Sequence, residues 1–111
     1  MIVAQIFKRD GGKIIGFSLD GHSNQGKHGQ DIYCAAASMI SSSVFVCLRD
    51  YLKRDFEWDA AHGRLMVKLK DEPDDLTEVV FQTFLIGMRE VEKQVPQIVK
   101  VTEKILGGES E

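Results

Sequence analysis

The chain has 111 residues, is 43% hydrophobic and carries a formal net charge of −3 at neutral pH. A chain of this length buries one core, so residues 1–111 are predicted to form a single domain with a frayed tail at 107–111. The mild acidity argues against a nucleic-acid-binding module, which normally has a basic face, and it suits a basic protein partner.

No segment reads as a signal peptide or a membrane span, because the N-terminal apolar stretch is short and charges interrupt the later ones. Cys34 and Cys47 lie on one predicted helix about 20 Å apart, too far for a disulfide between them. Two thiols that cannot bridge each other indicate a reducing compartment, so we expect a cytoplasmic protein.

The N-terminal part of the chain is predicted to form a β-hairpin. Met1 to Lys8 alternate as a strand does, the Asp-Gly-Gly sequence at 10–12 is a turn signal, and Lys13 to Leu19 form the returning strand. This second strand runs into Gly21 and His22, which places the imidazole at the rim of the sheet.

The loop and helix that follow hold the candidate reactive residue. Asn24 to Gln30 form a polar loop broken by glycines, for which we hypothesise a mobile lid. Asp31 is predicted to cap a helix that reaches about Tyr51, so that Cys34 is the third helical residue. First-turn amides and the positive end of the helix macrodipole favour a thiolate there, and His22 is a candidate base.

This first helix is predicted to be apolar on more than one side. One stripe consists of Tyr33, Ala37, Ile40, Val44, Cys47 and Tyr51, and the flank beside it of Cys34, Ser38, Ser41 and Phe45. Cys47 is therefore expected to be a structural core residue, whereas Cys34 has a more polar setting. Met39 and Val46 fall on a third side, which indicates a central helix or one covered by a second subunit.

The second half of the chain is predicted to repeat the order of hairpin and helix. Residues 55–59 and 64–70 form the hairpin, with Gly63 able to adopt a positive φ at its turn. The second helix begins at Glu72-Pro73 and ends at Pro96. Its predicted apolar stripe is Leu76, Val79, Val80, Thr83, Gly87, Met88, Val91 and Val95, and Gly87 suggests close contact with another helix.

Apolar residues outside this stripe leave surface for a partner. Phe81, Leu85 and Ile86 are the residues concerned, and they hint at a dimer. Ile98 to Ile105 fit either an edge strand or a further helical turn. The elements together predict an α+β fold of two layers, in the order β-hairpin, helix, β-hairpin, helix, with a mostly antiparallel sheet packed against two helices.

The motif GH at 21–22 followed by DIYCAAAS at 31–38 resembles the signature of the Prp family, the ribosomal-processing cysteine proteases of Firmicutes and related bacteria. The chain also has about the length and the order of elements of this family. It departs mildly at Ser23 and Ala37, where small or branched apolar residues are usual, and at Tyr33, where valine is common.

The resemblance implies a homodimeric cysteine endopeptidase that removes the N-terminal extension of a large-subunit ribosomal protein, cutting beside an aromatic pair, with no cofactor. It implies His22 and Cys34 as the catalytic dyad, with backbone amides at the helix start meeting the oxyanion. Supporting residues are Gly21, Asp31 and Ser38, and candidate substrate-binding residues are Tyr33, Phe45 and Phe81.

Other interpretations of these residues remain open. A cysteine on an apolar helix is more often packing than a nucleophile, Asp31 has a full role as a cap, and Ser38 can bond its own helix backbone. The alternative is therefore a non-enzymatic dimeric module that binds a ribosomal or assembly partner, and a third interpretation is a thiol hydrolase with another substrate. No metal site is expected, since the histidines and cysteines lack the short spacings of zinc ligands.

Overall fold

The computed structural model describes residues 1–21, 28–61 and 63–106, apart from the side chains of 28–31. The elements in chain order are β1 (Ile2–Lys8), β2 (Ile14–Asp20), α1 (His28–Val46), β3 (Phe56–Ala61), β4 (Arg64–Leu69), α2 (Asp75–Gln94) and β5 (Val99–Ile105). A π-helical turn, Cys47–Tyr51, extends α1. The predicted order of hairpin, helix, hairpin and helix is confirmed, and the segment left open between strand and helix forms β5.

The five strands form one sheet in the order β3-β4-β2-β1-β5. Neighbouring strands are antiparallel except β1 and β5, which are parallel. Strand β4 therefore runs in the same direction as β5, and α2 is the crossover that a parallel connection requires.

The core lies between one face of this sheet and the two helices. Phe17 at the centre of β2 stacks on Phe84 with ring centroids 4.2 Å apart and meets Phe81 edge to face at 6.2 Å. Alternate residues of β1, Ile2, Ala4 and Ile6, are buried on the same side, as the predicted alternation of this strand requires.

The inward face of α2 differs from the predicted stripe. Phe81 and Leu85, which lie outside that stripe, are buried, whereas Leu76 and Val79, which belong to it, are more than half exposed. The prediction was wrong because α2 is apolar on two sides, and periodicity alone does not tell which side meets the sheet. The large side chains occupy the sheet side, where they bury the most apolar area.

The start of α2 also differs from the prediction. Its N-cap is Asp74, whose carboxylate accepts the amide hydrogens of Leu76 and Thr77, while the Thr77 hydroxyl accepts that of Asp74. Pro73 therefore precedes the cap instead of lying in the first turn. Arg54 donates to the same carboxylate at 2.6 Å, and this bond, with the Thr77 amide, lowers the pKa of Asp74.

The π-helical turn changes which residues after α1 face the core. Ala37, Val44 and Leu48 are buried, whereas Tyr51, which the predicted stripe included, is 82% exposed. The Leu52 amide donates to the Cys47 carbonyl, so this turn takes more residues than an α-helical turn and rotates the face that follows it.

The two helices meet closely where the sequence predicts it. The Cδ1 atom of Ile40 lies 3.3 Å from the place where a Cβ on Gly87 would stand. The outer side of α1 is less covered, since Met39 is 65% exposed and Val46 is 42% exposed.

The expectation that charges interrupt the later apolar stretches was wrong for α1, since Ile32 to Leu48 include no charged residue. By length and composition the segment Ile32–Tyr51, with a mean hydropathy of 1.5, is able to cross a membrane. Core helices of soluble proteins have the same length and composition, and 22% of an 18-residue window of this segment is buried in the fold. Its buried side, at Ala37 and Leu48, belongs to the common core, so we treat it as a helix of this domain.

Candidate active site

Cys34 lies in the second turn of α1, half-buried at the margin of the core. Because α1 begins at His28, Asp31 is the fourth helical residue instead of the N-cap, and Cys34 is the seventh instead of the third. The predicted start was wrong because a nucleated helix gains a hydrogen bond with each added residue. Gly29 destabilises the helix by only about 1 kcal/mol relative to alanine, which does not stop it.

This placement changes the electrostatic argument for the thiol. Only the first four amides of a helix lack a partner within it, and the macrodipole acts mainly in the first turn. The Cys34 amide comes after these four. The predicted thiolate stabilisation and the predicted oxyanion site at the helix start therefore do not apply directly at Cys34, and a neighbouring base becomes more important.

Part of the predicted site lies outside the described residues. His22 and residues 23–27 belong to that part, as do His62 and the side chain of Asp31. The predicted pairing of His22 with Cys34 and most of the predicted lid therefore lie outside the described residues. Residues 28–30, which were assigned to the lid, are helical.

Gly21 fixes the point from which the chain leaves β2 toward residue 22. Its φ is 90°, and its amide donates to the carbonyl of Gly63 at 3.0 Å. A Cβ at this position would overlap the carbonyl oxygen of Met1. Position 21 therefore requires glycine, because of its positive φ and the close Met1 backbone. Gly63 has a φ of 65° and lies at the turn of the second hairpin, as predicted.

The flank of α1 that begins with Cys34 continues as one wall of a groove. Ser38 and Phe45 lie at helical spacing from Cys34, and both line a cavity of about 530 Å³. Ser41 is buried beside them and donates its hydroxyl hydrogen to the Ser38 carbonyl at 3.0 Å. The opposite wall comes from β2, β3 and β4 through Leu19, Trp58, Ala60, Arg64 and Leu65.

An aromatic cluster lines this groove. The ring of Phe45 meets Phe56 at 5.4 Å and Trp58 at 5.2 Å, both edge to face, and the Arg49 guanidinium lies 5.3 Å from the Phe45 centroid. Trp58 is nevertheless 55% exposed. An open aromatic surface in a cavity is typical of a binding site for an apolar group.

The three residues predicted to bind substrate lie in different places. Phe45 lines the groove, and Tyr33 packs against the margin of the core. Phe81 is fully buried against Phe17, so its prediction as a groove residue was wrong. The burial of Phe81 could have been predicted from the sequence, because Phe81 and Phe84 are the largest apolar side chains of α2 and their burial stabilises the fold most.

The second cysteine lies on another side of the helix. Cys47 is half-buried and lines an apolar cavity of about 380 Å³ between α1 and α2, together with Met39, Ile40, Val79 and others. The expectation that Cys47 is a core residue was wrong, because its neighbour Leu48 takes the core-facing position, and it is Cys34 that packs against the core. Among the described residues there is no group of three or more histidine, cysteine, aspartate or glutamate side chains that could hold a metal ion. Among the described cavities, the groove that continues the helix face of Cys34 is lined by the aromatic rings of Phe45 and Trp58.

Comparisons with known sequences point to one family. The model of a family described as cysteine protease Prp matches residues 1–100. A curated protein of Staphylococcus aureus named ribosomal processing cysteine protease Prp is 27% identical over 107 residues, covering 94% of this chain and 100% of the relative.

Solved structures agree in fold. The S. aureus ribosomal processing protease Prp in complex with a substrate peptide matches with a TM-score of 0.85 and 23% identity, over 94% of this chain and 100% of that chain. SMU.848 from Streptococcus mutans matches with a TM-score of 0.80 and 24% identity, over 96% and 99% of the two chains. These likenesses confirm the predicted α+β architecture.

Proposed function

Because the chain belongs to the cysteine protease Prp family, and is therefore a cysteine protease, we propose that Cys34 and His22 are its catalytic dyad. We further propose that it removes the N-terminal extension of a large-subunit ribosomal protein. The observation that carries the proposal is the position of Cys34, half-buried at the head of the helix face that lines the groove. Family membership argues against the non-enzymatic module, since a cysteine protease needs a nucleophilic thiol and Cys34 is the cysteine that lies on the helix face continuing into the groove.

The proposed chemistry is acyl transfer to sulfur. His22 accepts the thiol proton as the Cys34 sulfur attacks the carbonyl carbon of the scissile peptide bond. The tetrahedral intermediate collapses, the carbon–nitrogen bond breaks, and the imidazolium gives its proton to the leaving amine. Water, deprotonated by the imidazole, then hydrolyses the thioester and returns the thiol. Since Cys34 lies beyond the first turn of α1, the base contributes more to its reactivity than the helix dipole does.

The two cysteines give a matched test of this assignment. Cys34→Ala should abolish cleavage of the ribosomal precursor, measured as the mass of the released extension, because the remaining thiol, Cys47, lies at the cavity between α1 and α2 and not on the groove side of the helix. Cys47→Ala, which removes a thiol on another side of the helix, should retain cleavage. Thermal unfolding of both variants checks that they fold. Turnover by Cys34→Ala at the wild-type rate would reject the dyad.

Alkylation compares the reactivity of Cys34 with that of Cys47 without a substrate. Iodoacetamide at neutral pH should modify Cys34 faster than Cys47, and His22→Ala should remove that difference, because the thiolate is the reacting species. Equal rates in the wild-type protein would contradict activation of Cys34. Processing of other proteins, but not of the ribosomal precursor, would favour a thiol protease with a different substrate.

We also propose that the protein is a homodimer, as the family resemblance implies, and that it is cytoplasmic, as two cysteines that cannot bridge each other indicate. The support is the outer helical face, which we define as Met39, Leu76, Val79 and Ile86, each more than half exposed. No charged residue occurs from Ile32 to Leu48, so this side of α1 presents only apolar and small polar groups to a partner. A two-fold dimer would let the projecting side chains of one copy enter the cavity between α1 and α2 of the other.

Light scattering tests the dimer directly. Val79→Glu should shift the mass to that of a monomer, because it puts a charge in the buried centre of the interface. Thr102→Glu, on β5, is the matched control and should remain dimeric. A wild-type monomer at micromolar concentration would contradict the proposal. Binding of that monomer to lipid vesicles would assign the outer helical face to a membrane surface instead.

A further inference from the structure

We propose that a second copy of this chain packs on exposed lines of residues along α1 and α2 and thereby completes one wall of the groove, so that the dimer and not the monomer is the active enzyme. The proposal rests on the proposed function, because it concerns the control of the site that contains Cys34. It goes beyond the proposed homodimer in identifying Ser42 and Val46 as the residues that join the interface to the groove.

Both helices expose apolar and small polar residues at alternating spacings of three and four positions. On α1 the exposed line, which we call the α1 seam, consists of Ile32, Ala35, Met39, Ser42 and Val46. On α2 the exposed line, the α2 seam, consists of Leu76, Val79, Thr83 and Ile86. Alternating spacings of three and four give the period of about 3.5 residues at which helices pack along one another. Both seams are therefore suited to contact with further helices.

The two seams lie side by side on one surface of the molecule. The helices that carry them meet closely at Ile40 and Gly87. Met39 of the α1 seam and Val79 of the α2 seam line the same apolar cavity of about 380 Å³. The surface thus has projecting side chains and a hollow between them. A surface that packs against its own copy across a two-fold axis needs both.

The chemistry of the seams favours a second copy over other partners. No charged residue occurs from Ile32 to Leu48, so the α1 seam has no ion pairs to offer to a basic ribosomal protein. Helices that bind membrane surfaces are rich in lysine and arginine beside their apolar face, and this stretch of α1 contains neither. A second copy presents two helices with the same spacing of exposed residues, and these match the seams.

The α1 seam is also part of the rim of the groove. Ser42 and Val46 line the groove, and they line an adjoining cavity of about 440 Å³ together with Met39, Ser43 and Cys47. Packed helices have their axes about 8–10 Å apart, so a partner helix on the α1 seam places its side chains beside Ser42 and Val46. In the monomer this rim faces water. In the dimer the partner forms a further wall there, and a substrate in the groove is shielded from water on one more side.

Mass and cleavage rate measured on the same samples test this coupling. Val79→Glu puts a charge into the α2 seam, whereas the described lining of the groove comes from α1 and the strands. We expect a monomer whose kcat/KM for the ribosomal precursor is about tenfold below that of the wild-type protein, since the uncovered rim leaves apolar contacts in water. Thr102→Glu, on β5, is the matched control and should keep both the dimer and the wild-type kcat/KM. Thermal unfolding checks that Val79→Glu folds, as expected for a side chain that is 64% exposed.

An inactive copy gives an independent readout. The Cys34→Ala protein is not expected to cleave, but it keeps both seams and should serve as a partner. Wild-type enzyme is diluted until its rate per molecule falls, and excess Cys34→Ala protein should then restore that rate. The double variant Cys34→Ala/Val79→Glu is the control and should not restore it. Equal restoration by both proteins would overturn the proposal, as would a constant rate per molecule at dilutions where the wild-type protein is a monomer.

The second cysteine reports whether the seams are covered. Cys47 lines both cavities at the outer side of α1, so a partner copy packed there shields it from reagents. Iodoacetamide should therefore modify Cys47 more slowly in the wild-type protein than in Val79→Glu. Equal rates in the two proteins would contradict an interface at the seams.

The outcomes separate this proposal from the proposed function. A monomeric Val79→Glu protein with the wild-type kcat/KM would overturn the coupling and leave the protease assignment standing. A Val79→Glu protein that remains dimeric would overturn the assignment of the interface to the seams. If the wild-type protein does not cleave the precursor, the proposed substrate fails and the coupling with it, while mass and Cys47 alkylation still decide whether the seams form an interface. Binding of a monomeric wild-type protein to vesicles of phosphatidylethanolamine and phosphatidylglycerol would assign the seams to a membrane surface and overturn the proposal.

Discussion

The half of the molecule built around α2 and the half built around α1 use their apolar residues in different ways. On α2, Phe81, Phe84 and Met88 are fully buried against the sheet. On α1, Phe45 is only half-buried, and the aromatic residue it meets on β3, Trp58, is largely exposed. Burial of a large side chain contributes most to stability, whereas an aromatic surface left open is available for binding.

Polar contacts follow the same division. Arg89 of α2 donates to Glu103 of β5 at 2.8 Å, and Lys8 of β1 lies 3.4 Å from the same carboxylate, so the helix is linked to two strands. Arg54, in the segment between the π-helical turn and β3, pairs with Asp74 at the N-terminus of α2 and not with the sheet. The α2 half is therefore expected to resist unfolding, while the α1 half presents Cys34 and the groove.

The largest expected effect is the loss of a core ring in the α2 half. Phe84→Ala should lower the free energy of unfolding by about 3–5 kcal/mol, because it leaves a cavity beside Phe17. Phe45→Ala, the same change in the α1 half, should cost about 1–2 kcal/mol, since that ring is already half in water. Urea denaturation measures both. Equal losses would show that the two halves do not differ as described.

A smaller effect is expected where the two halves join at the end of β2. Gly21→Ala should cost about 1–3 kcal/mol for its positive φ alone, and the overlap with the Met1 carbonyl adds to this. Gly11→Ala is the control, because Gly11 also has a positive φ but has open space around it. The proposed protease activity of Gly21→Ala should fall as well, since residue 22 follows directly. A Gly21→Ala protein as stable as Gly11→Ala would contradict the close contact.

The smallest expected effect is the loss of thermal stability at acid pH. Hydrogen bonds from Arg89, and then from Lys8, lower the pKa of Glu103, and the Arg54 bond lowers that of Asp74. A carboxylate with a lowered pKa in the folded state stabilises the fold above its unfolded pKa, and this stability is lost as pH falls through the folded value. The melting temperature should therefore decline below about pH 4. Arg89→Met should make that decline shallower, and an unchanged slope would argue against a role for Glu103.

Much of the fold was predictable because it depends on neighbours in the chain. Glycines at the hairpin turns, alternation in β1 and the apolar run after Asp31 identified strands and helix without any distant contact. The pairing of His22 and Cys34 came from a motif, which also depends on nearby residues. Its geometry stays a prediction, because His22 lies outside the described residues.

Other features depend on contacts between distant parts of the chain. Residues 99–105 became a strand because β1 offers them a parallel edge, and β1 lies almost the whole sequence away. Phe81, and not Val79, faces inward on α2 because Phe81 packs against Phe17. Only the assembled sheet places Phe17 beneath that helix. Local pattern therefore identifies most elements, while burial decides which face of each element meets the core and which remains open as a groove, since burial exists only once the elements have packed.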